Sequence, residues 1–261
     1  MRLHHVVAAS ALALSGPALA GGRSCSAFSE AHTTALVELY TSEGCDSCPP
    51  ADRWLSSLFG RGFRSGQLVP LALHVDYWDY IGWKDPFAKG EFSARQRRLA
   101  MLKRPVFVYT PQVVLQGQDF RRWGSPEFAE AVARINAKPA RARIALSIDA
   151  VTSKAVQAEL GAQLFDAGES RNTVAYLAAY ENKLATEVKA GENRGRRLEH
   201  DFVAREWIGP IRFGSDAKLQ EKRALPLLPG ADPRRLGVAA FVQNRSTGEV
   251  LQALMLPTCS P

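Results

Sequence analysis

The sequence predicts an α/β domain followed by an all-β, sandwich-like domain. Three observations carry this. Two short apolar strand patterns, Leu36–Tyr40 and Leu68–Val75, flank a helical pattern. Two further helical patterns follow before residue 138. Beyond Lys138-Pro139-Ala140-Arg141 the period changes from helical to two, and no helical periodicity stands out. The expected segments are residues 1–20, 33–138 and 142–258.

The 261 residues are 46% hydrophobic and 23% charged, with a net charge of +7. This is ordinary globular composition and argues against disorder, collagen and coiled coil. No uninterrupted run of 18 apolar residues occurs, which excludes a spanning helix in a mature protein. Residues 1–20 read as an export signal. Arg2 with His4 and His5 precedes a short apolar stretch, Val6–Leu14, and Ala18-Leu19-Ala20 is a small-x-small cleavage pattern. The alternative is a retained anchor or a disordered tail. No cysteine follows the cleavage pattern directly, which argues against a lipoprotein. Export leads to an oxidising compartment, so the periplasm or the extracellular space is the expected location.

The elements follow in order. Leu36–Tyr40 predicts a strand, and residues 41–48 a loop. Ala51, Trp54, Leu55, Leu58 and Phe59 recur at helical spacing. Pro49 and Pro50 fit only the first turn of that helix, and Gly60 and Gly62 end it. Leu68–Val75 is almost wholly apolar, which suits a strand covered on both faces. Ser93 and Gln96 have capping-box spacing and predict a helix over roughly 94–103. Val106–Val108 are β-prone. Val113–Leu115, a turn at Gly117 and Phe120–Trp123 predict a hairpin. Ser125-Pro126 opens a third helix with a stripe of Phe128, Val132 and Ile135. Strict alternation over 156–164 marks a strand with one wet face. Residues 173–180, 200–207, 238–243 and 250–256 also predict strands, with 244–249 as a turn; such short strands suggest a β-sandwich.

The chemistry sits in Cys45-Asp46-Ser47-Cys48, between a strand and a helix. A thiolate at a helix N-terminus meets unsatisfied N–H groups and the positive end of the dipole, which lowers its pKa. Cys45 is then the exposed nucleophile, and Cys48, inside the first turn, resolves a mixed disulfide. The motif also occurs as half of a zinc site or as an inert disulfide. The five histidines (4, 5, 32, 74 and 200) show no paired spacing to complete a zinc site. Glu38 interrupts the first strand seven residues before Cys45. It reads either as a buried proton relay with a raised pKa or as a solvated surface acid.

Cys25 and Cys259 lie near the chain ends. Chain termini often lie close together, and the cysteine count is even in an exported protein, which points to a pair; the alternative is two separate thiols. Asp76–Trp83 is dense in Tyr and Trp. With Tyr77, Trp78 and Trp83 it either walls a peptide groove or packs as a cover on the sheet end. His74 reads as a hydrogen-bonded core residue before a ligand or base. The clusters around Arg95, Arg121, Arg194 and Arg234 read as solvated faces, and no nucleic-acid motif accompanies them.

Three stretches carry a resemblance: Val37–Asp52 around the cysteines, His74–Phe87 with the aromatic run, and Tyr109-Thr110-Pro111-Gln112. The chain resembles the thioredoxin superfamily, and more narrowly the secreted bacterial thioredoxin-like proteins grouped as domain of unknown function 1223. The resemblance covers about residues 33–257. It implies an α/β thioredoxin-like domain over 33–138, with Cys45, Cys48 and a cis Pro111 facing them as the redox centre. Thr110 and Gln112 would then line the substrate groove. Gly44 stands where thioredoxins have Trp, Asp-Ser replaces Gly-Pro between the cysteines, and Glu38 is one place further from Cys45 than the usual buried acid. The expectation is an exported thiol–disulfide oxidoreductase acting on protein thiols and disulfides, without a cofactor, nucleic acid or stable membrane insertion. The alternative is a non-catalytic binding module with a structural disulfide, or a Cu(I) site, at Cys45 and Cys48.

Overall fold

A computed structural model describes residues 24–102, 107–152, 154–227 and 230–259. The export signal over 1–20, the end of the second predicted helix at residue 103 and Val106 lie outside the described residues. The elements in chain order are β1 (Cys25–Phe28), β2 (Ala35–Thr41), α1 (Pro49–Ser57), β3 (Leu68–His74), α2 (Gly90–Met101), β4 (Gln112–Leu115), β5 (Gln118–Asp119), α3 (Pro126–Asn136), β6 (Ala142–Val151), β7 (Ala155–Leu164), β8 (Thr173–Glu181), β9 (Leu184–Glu187), β10 (Arg197–His200), β11 (Val203–Arg212), β12 (Lys218–Pro226), β13 (Leu236–Asn244) and β14 (Val250–Pro257).

The predicted helix-flanked thioredoxin-like domain followed by an all-β domain is overturned. Among the described residues, fourteen strands stand against three α-helices. Eight strands form one mixed sheet in the order β14-β13-β8-β11-β3-β2-β4-β5. The reason lies in β3. All seven of its residues are buried, and its ladder has two sides to satisfy. β2 fills one side in parallel, from Ala35↔Leu68 to Thr41↔His74. β11 fills the other through Val203↔Ala72, with the Ala72 N–H donating to Phe202 O at 2.8 Å. Strands from before and after residue 140 therefore share one sheet. That sheet curls until β14 approaches β2, where Thr34 N donates to Gln252 Oε1 at 2.8 Å.

A second, antiparallel sheet runs β1-β6-β7-β12. It covers one face of β8 and β13. The period of two divides their side chains cleanly: Val174, Tyr176, Ala178 and Tyr180 enter one core with the helices, while Ala175, Leu177 and Ala179 enter the other with Ile144, Leu146 and Leu160. Cys25 on β1 is bonded to Cys259, just past β14, with Cα atoms 6.0 Å apart.

Two local expectations change. The second helix starts at Gly90 rather than Ser93, because both partners of the supposed capping box are used elsewhere. The Ser93 hydroxyl donates to Asp76 Oδ1 at 2.5 Å, and Gln96 Nε2 donates to Tyr109 O and Gln112 Oε1. Arg95, expected on a solvated face, is among the largest fully buried side chains.

Candidate functional site

The loop after β2 carries the two cysteines to the start of α1, and they are bonded to each other with Cα atoms 5.4 Å apart. Cys48 is the N-cap residue, and Pro49 and Pro50 form the first turn. Neither proline has an N–H to offer. The next two donors, Ala51 N and Asp52 N, both donate to Cys48 O, at 2.9 and 3.1 Å. The expected unsatisfied N–H groups for a thiolate are thus absent from this helix start. What remains is the helix dipole and the Ser47 hydroxyl, 3.3 Å from Cys45 Sγ.

Cys45 is also covered, not exposed as expected: it is 1% accessible and Cys48 0%. Asp46 and Ser47 between them are exposed, so the disulfide lies one residue beneath the surface. Two segments pack against the loop that carries it. In the aromatic segment, Trp78 and Ile81 crowd Gly44, where an added Cβ would stand 3.1 and 3.3 Å from their side chains. From the far half of the chain comes the turn between β9 and β10. Asn193, fully buried, donates to the carbonyls of Glu43 and Cys45, both at 2.8 Å, and Glu192 accepts from Asp46 N at 3.1 Å.

The aromatic residues, read either as the wall of a peptide groove or as a packed cover, have their polar tips engaged within the chain. Tyr77 OH donates to Gln96 Oε1, Trp78 Nε1 to Thr110 Oγ1 at 2.7 Å, and Trp83 Nε1 to Glu43 Oε2 at 2.9 Å. Tyr80, stacked on Trp78, is exposed. The Thr110–Pro111 peptide is cis. Tyr40↔Gln112 is the last pair of the β2–β4 ladder, so Pro111 sits one register step beyond, toward the loop that bears Cys45. Gln112 is buried between Gln96 and Asp119.

Glu38 is buried but does not lie with the disulfide. On β2 it shares a face with Tyr40, whereas Thr41, of opposite parity, faces α1 and donates to Asp52 Oδ2 at 3.0 Å. The carboxylate of Glu38 accepts both Nε and Nη2 of Arg95, at 2.5 and 3.0 Å, and the Tyr40 hydroxyl at 3.2 Å. The Arg95 guanidinium lies over the rings of Tyr176, Trp207 and Phe241. Burial opposes its charge, yet Glu38 outweighs that and holds the guanidinium protonated. This ion pair leaves no free carboxylate oxygen for a proton relay.

Of the polar groups that do surround the cysteine loop, only His74 was singled out from sequence, as the hydrogen-bonded core residue that it is. His74 ends β3, and its Nδ1 lies 2.7 Å from Asp85 Oδ2. The same oxygen accepts Glu43 N at 2.8 Å. His200 ends β10, with Nε2 3.2 Å from Glu43 Oε1 and Nδ1 3.7 Å from Asp52 Oδ1. The two imidazoles meet edge to face, centroids 4.9 Å apart. All five side chains are buried. His74 and His200 stand far apart in sequence, so no local spacing could reveal the pair. The one local signal was His74 closing the apolar run of β3.

A family model described as "Protein of unknown function (DUF1223)" matches residues 36–243. No curated protein matches the chain. Among solved structures, a crystal structure of an Agrobacterium tumefaciens protein is similar, with 23% identity and a TM-score of 0.63, over 89% of this chain and 98% of that one. HBP35 of Porphyromonas gingivalis is similar at 12% identity and a TM-score of 0.66, over 88% of this chain and 76% of that one. At these identities the likeness concerns the fold alone.

Proposed function

The chain belongs to the DUF1223 family, and on that premise we propose that it is an exported thiol–disulfide oxidoreductase whose redox pair is Cys45 and Cys48. The observation that carries this reading is the closed disulfide at the N-cap of α1, with the two intervening residues exposed. In the reduced form the Cys45 thiolate attacks a partner protein's disulfide. A Cys45–partner bond forms, and the partner's other sulfur leaves and takes a proton from solvent. Cys48 as thiolate then attacks Cys45 Sγ. The Cys45–Cys48 bond closes and the second partner thiol departs. The partner leaves reduced by two electrons and the protein oxidised by two; the reverse sequence oxidises a dithiol.

Ser47 supports the reading, because its hydroxyl can donate to the Cys45 thiolate. The second disulfide, Cys25–Cys259, supports export to the periplasm or beyond, where such bonds persist. No helix among the described residues is long and apolar enough to cross a membrane. Access to Cys45 requires the cover formed by Asn193 and the aromatic segment to move.

The burial of both sulfurs favours a second reading, a binding module with a sheltered structural disulfide. One experiment separates them. After reduction, the oxidoreductase reading expects Cys45 to alkylate faster than a peptide thiol at neutral pH, and Cys48→Ser to trap a mixed disulfide through Cys45. Alkylation no faster than the peptide, with no trapped partner, leaves the structural reading.

A further inference from the structure

We propose that Asp52, His74 and His200 form a binding site for a divalent transition-metal ion of the zinc class, distinct from the two cysteines.

The argument starts from what each side chain already does. Asp85 accepts the N–H groups of Glu43 and Phe87, at 2.8 and 2.9 Å. The same carboxylate stands 2.7 Å from His74 Nδ1, so that nitrogen is engaged and Nε2 is the ring nitrogen left for a ligand. His200 Nε2 lies 3.2 Å from Glu43 Oε1, which leaves Nδ1 facing Asp52 Oδ1 at 3.7 Å. Thr41 occupies Oδ2 of Asp52. Oδ1 of Asp52, Nε2 of His74 and Nδ1 of His200 have no hydrogen-bond partner. One ligand atom from each of the three side chains lies within 4.8 Å of the other two, on side chains 5%, 0% and 2% exposed.

Three buried polar atoms facing each other without a hydrogen-bond partner call for a cation between them, either a metal ion or a second proton on His200. Metal–ligand bonds of about 2.0–2.2 Å place tetrahedral donors about 3.3–3.6 Å apart. From the 4.8 Å limit the donors would close by about 1.2–1.5 Å on binding. Each histidine already has its second nitrogen fixed by a carboxylate, Asp85 or Glu43, which is the outer-shell arrangement that orients a metal-bound imidazole. Two imidazoles and one carboxylate suit zinc or ferrous iron better than the all-oxygen calcium or the soft cuprous ion. A cavity of about 130 Å³ beside Pro49, Arg53, Arg197 and Glu199 reaches Asp52 and His200 from outside and offers a route in. The rival occupant is a proton on His200, held between Asp52 and Glu43.

The test uses the full chain with both disulfides closed, stripped with chelator and then titrated with Zn²⁺ and Co²⁺. Closed disulfides keep the outcome independent of the redox reading. The expected result is one ion per chain and a raised melting temperature. Co²⁺ should show visible d–d bands without thiolate-to-metal charge transfer. Asp52→Asn, which keeps the side-chain volume, and His200→Gln should each weaken binding at least tenfold. The proposal is overturned if the oxidised protein takes up no Zn²⁺ in competition with a micromolar chelator. It is equally overturned if Asp52→Asn binds as well as wild type, or if binding needs reduction and disappears in the Cys45→Ser, Cys48→Ser double variant.

Discussion

The Asn193 side-chain amide reaches the Cys45 carbonyl at 2.8 Å from 148 residues away in sequence. It holds the cysteine loop by the backbone, through a turn of the far half of the chain. Asn193→Ala removes the donor from two buried carbonyls, at about 1–3 kcal/mol each. We expect the melting temperature to fall and dithiothreitol to reduce Cys45–Cys48 roughly tenfold faster, equivalent to about 1.4 kcal/mol. An unchanged reduction rate in the folded variant would show that this turn does not limit access.

Glu38 and Arg95 form a buried bidentate pair. Glu38→Gln strands a buried guanidinium, and breaking such a pair typically costs about 3–5 kcal/mol. Chemical denaturation should show a loss of that size. The alkylation rate of Cys45 in the folded, reduced variant should stay within twofold of wild type, because the carboxylate faces away from α1. A large drop in that rate would restore Glu38 as a proton relay.

His200 sets a pH dependence in the metal-free protein. Burial lowers its pKa, but the carboxylates of Asp52 and Glu43 outweigh this and push it up to about 10. Those two acids and His74 are the titratable groups seen against it. The folded state thus binds a proton that the unfolded chain releases near pH 6.5. Its contribution to stability is complete below about 6.5 and is lost as pH rises through about 10. Unfolding curves between pH 7 and 10 should shift to lower denaturant, and His200→Gln should flatten that slope. Equal slopes in both proteins would exclude a charged His200.

Cys25–Cys259 closes a loop of 234 residues. In the chain-entropy model a loop of that length stabilises on the order of 5 kcal/mol, and less in practice. The Cys25→Ser, Cys259→Ser double variant should melt lower while Cys45–Cys48 keeps its reduction rate. A melting temperature equal to wild type would mean that β1 and the chain end are held by the sheet alone.

Local structure was readable where periodicity and punctuation agree. Leu36–Tyr40, Leu68–Val75, the Pro49-Pro50 helix start and Ser125-Pro126 all form their elements at or near the predicted bounds. The sheet was not readable, because the parallel pairing of β3 with β11 joins residues about 130 apart and leaves no local pattern. β6 and β12 were missed. β12 in particular keeps most of its side chains in water and has little apolar alternation to detect. Of the site, the cysteine pair was legible from spacing. Its cover was not, since Asn193 resembles any turn residue until the fold brings it over Gly44. The His74–His200 pair was hidden for the same reason, and Glu38 was misjudged because strand parity, not distance in sequence, decides which face an acid serves.

The two-sided pairing of β3 has a practical corollary for anyone who dissects this protein. A truncated piece stopping at the Lys138–Arg141 junction would display an unshielded, almost wholly apolar β-ribbon, inviting intermolecular zippering. Soluble expression of the first half by itself should fail unless a complementary piece carrying β11 is supplied alongside it.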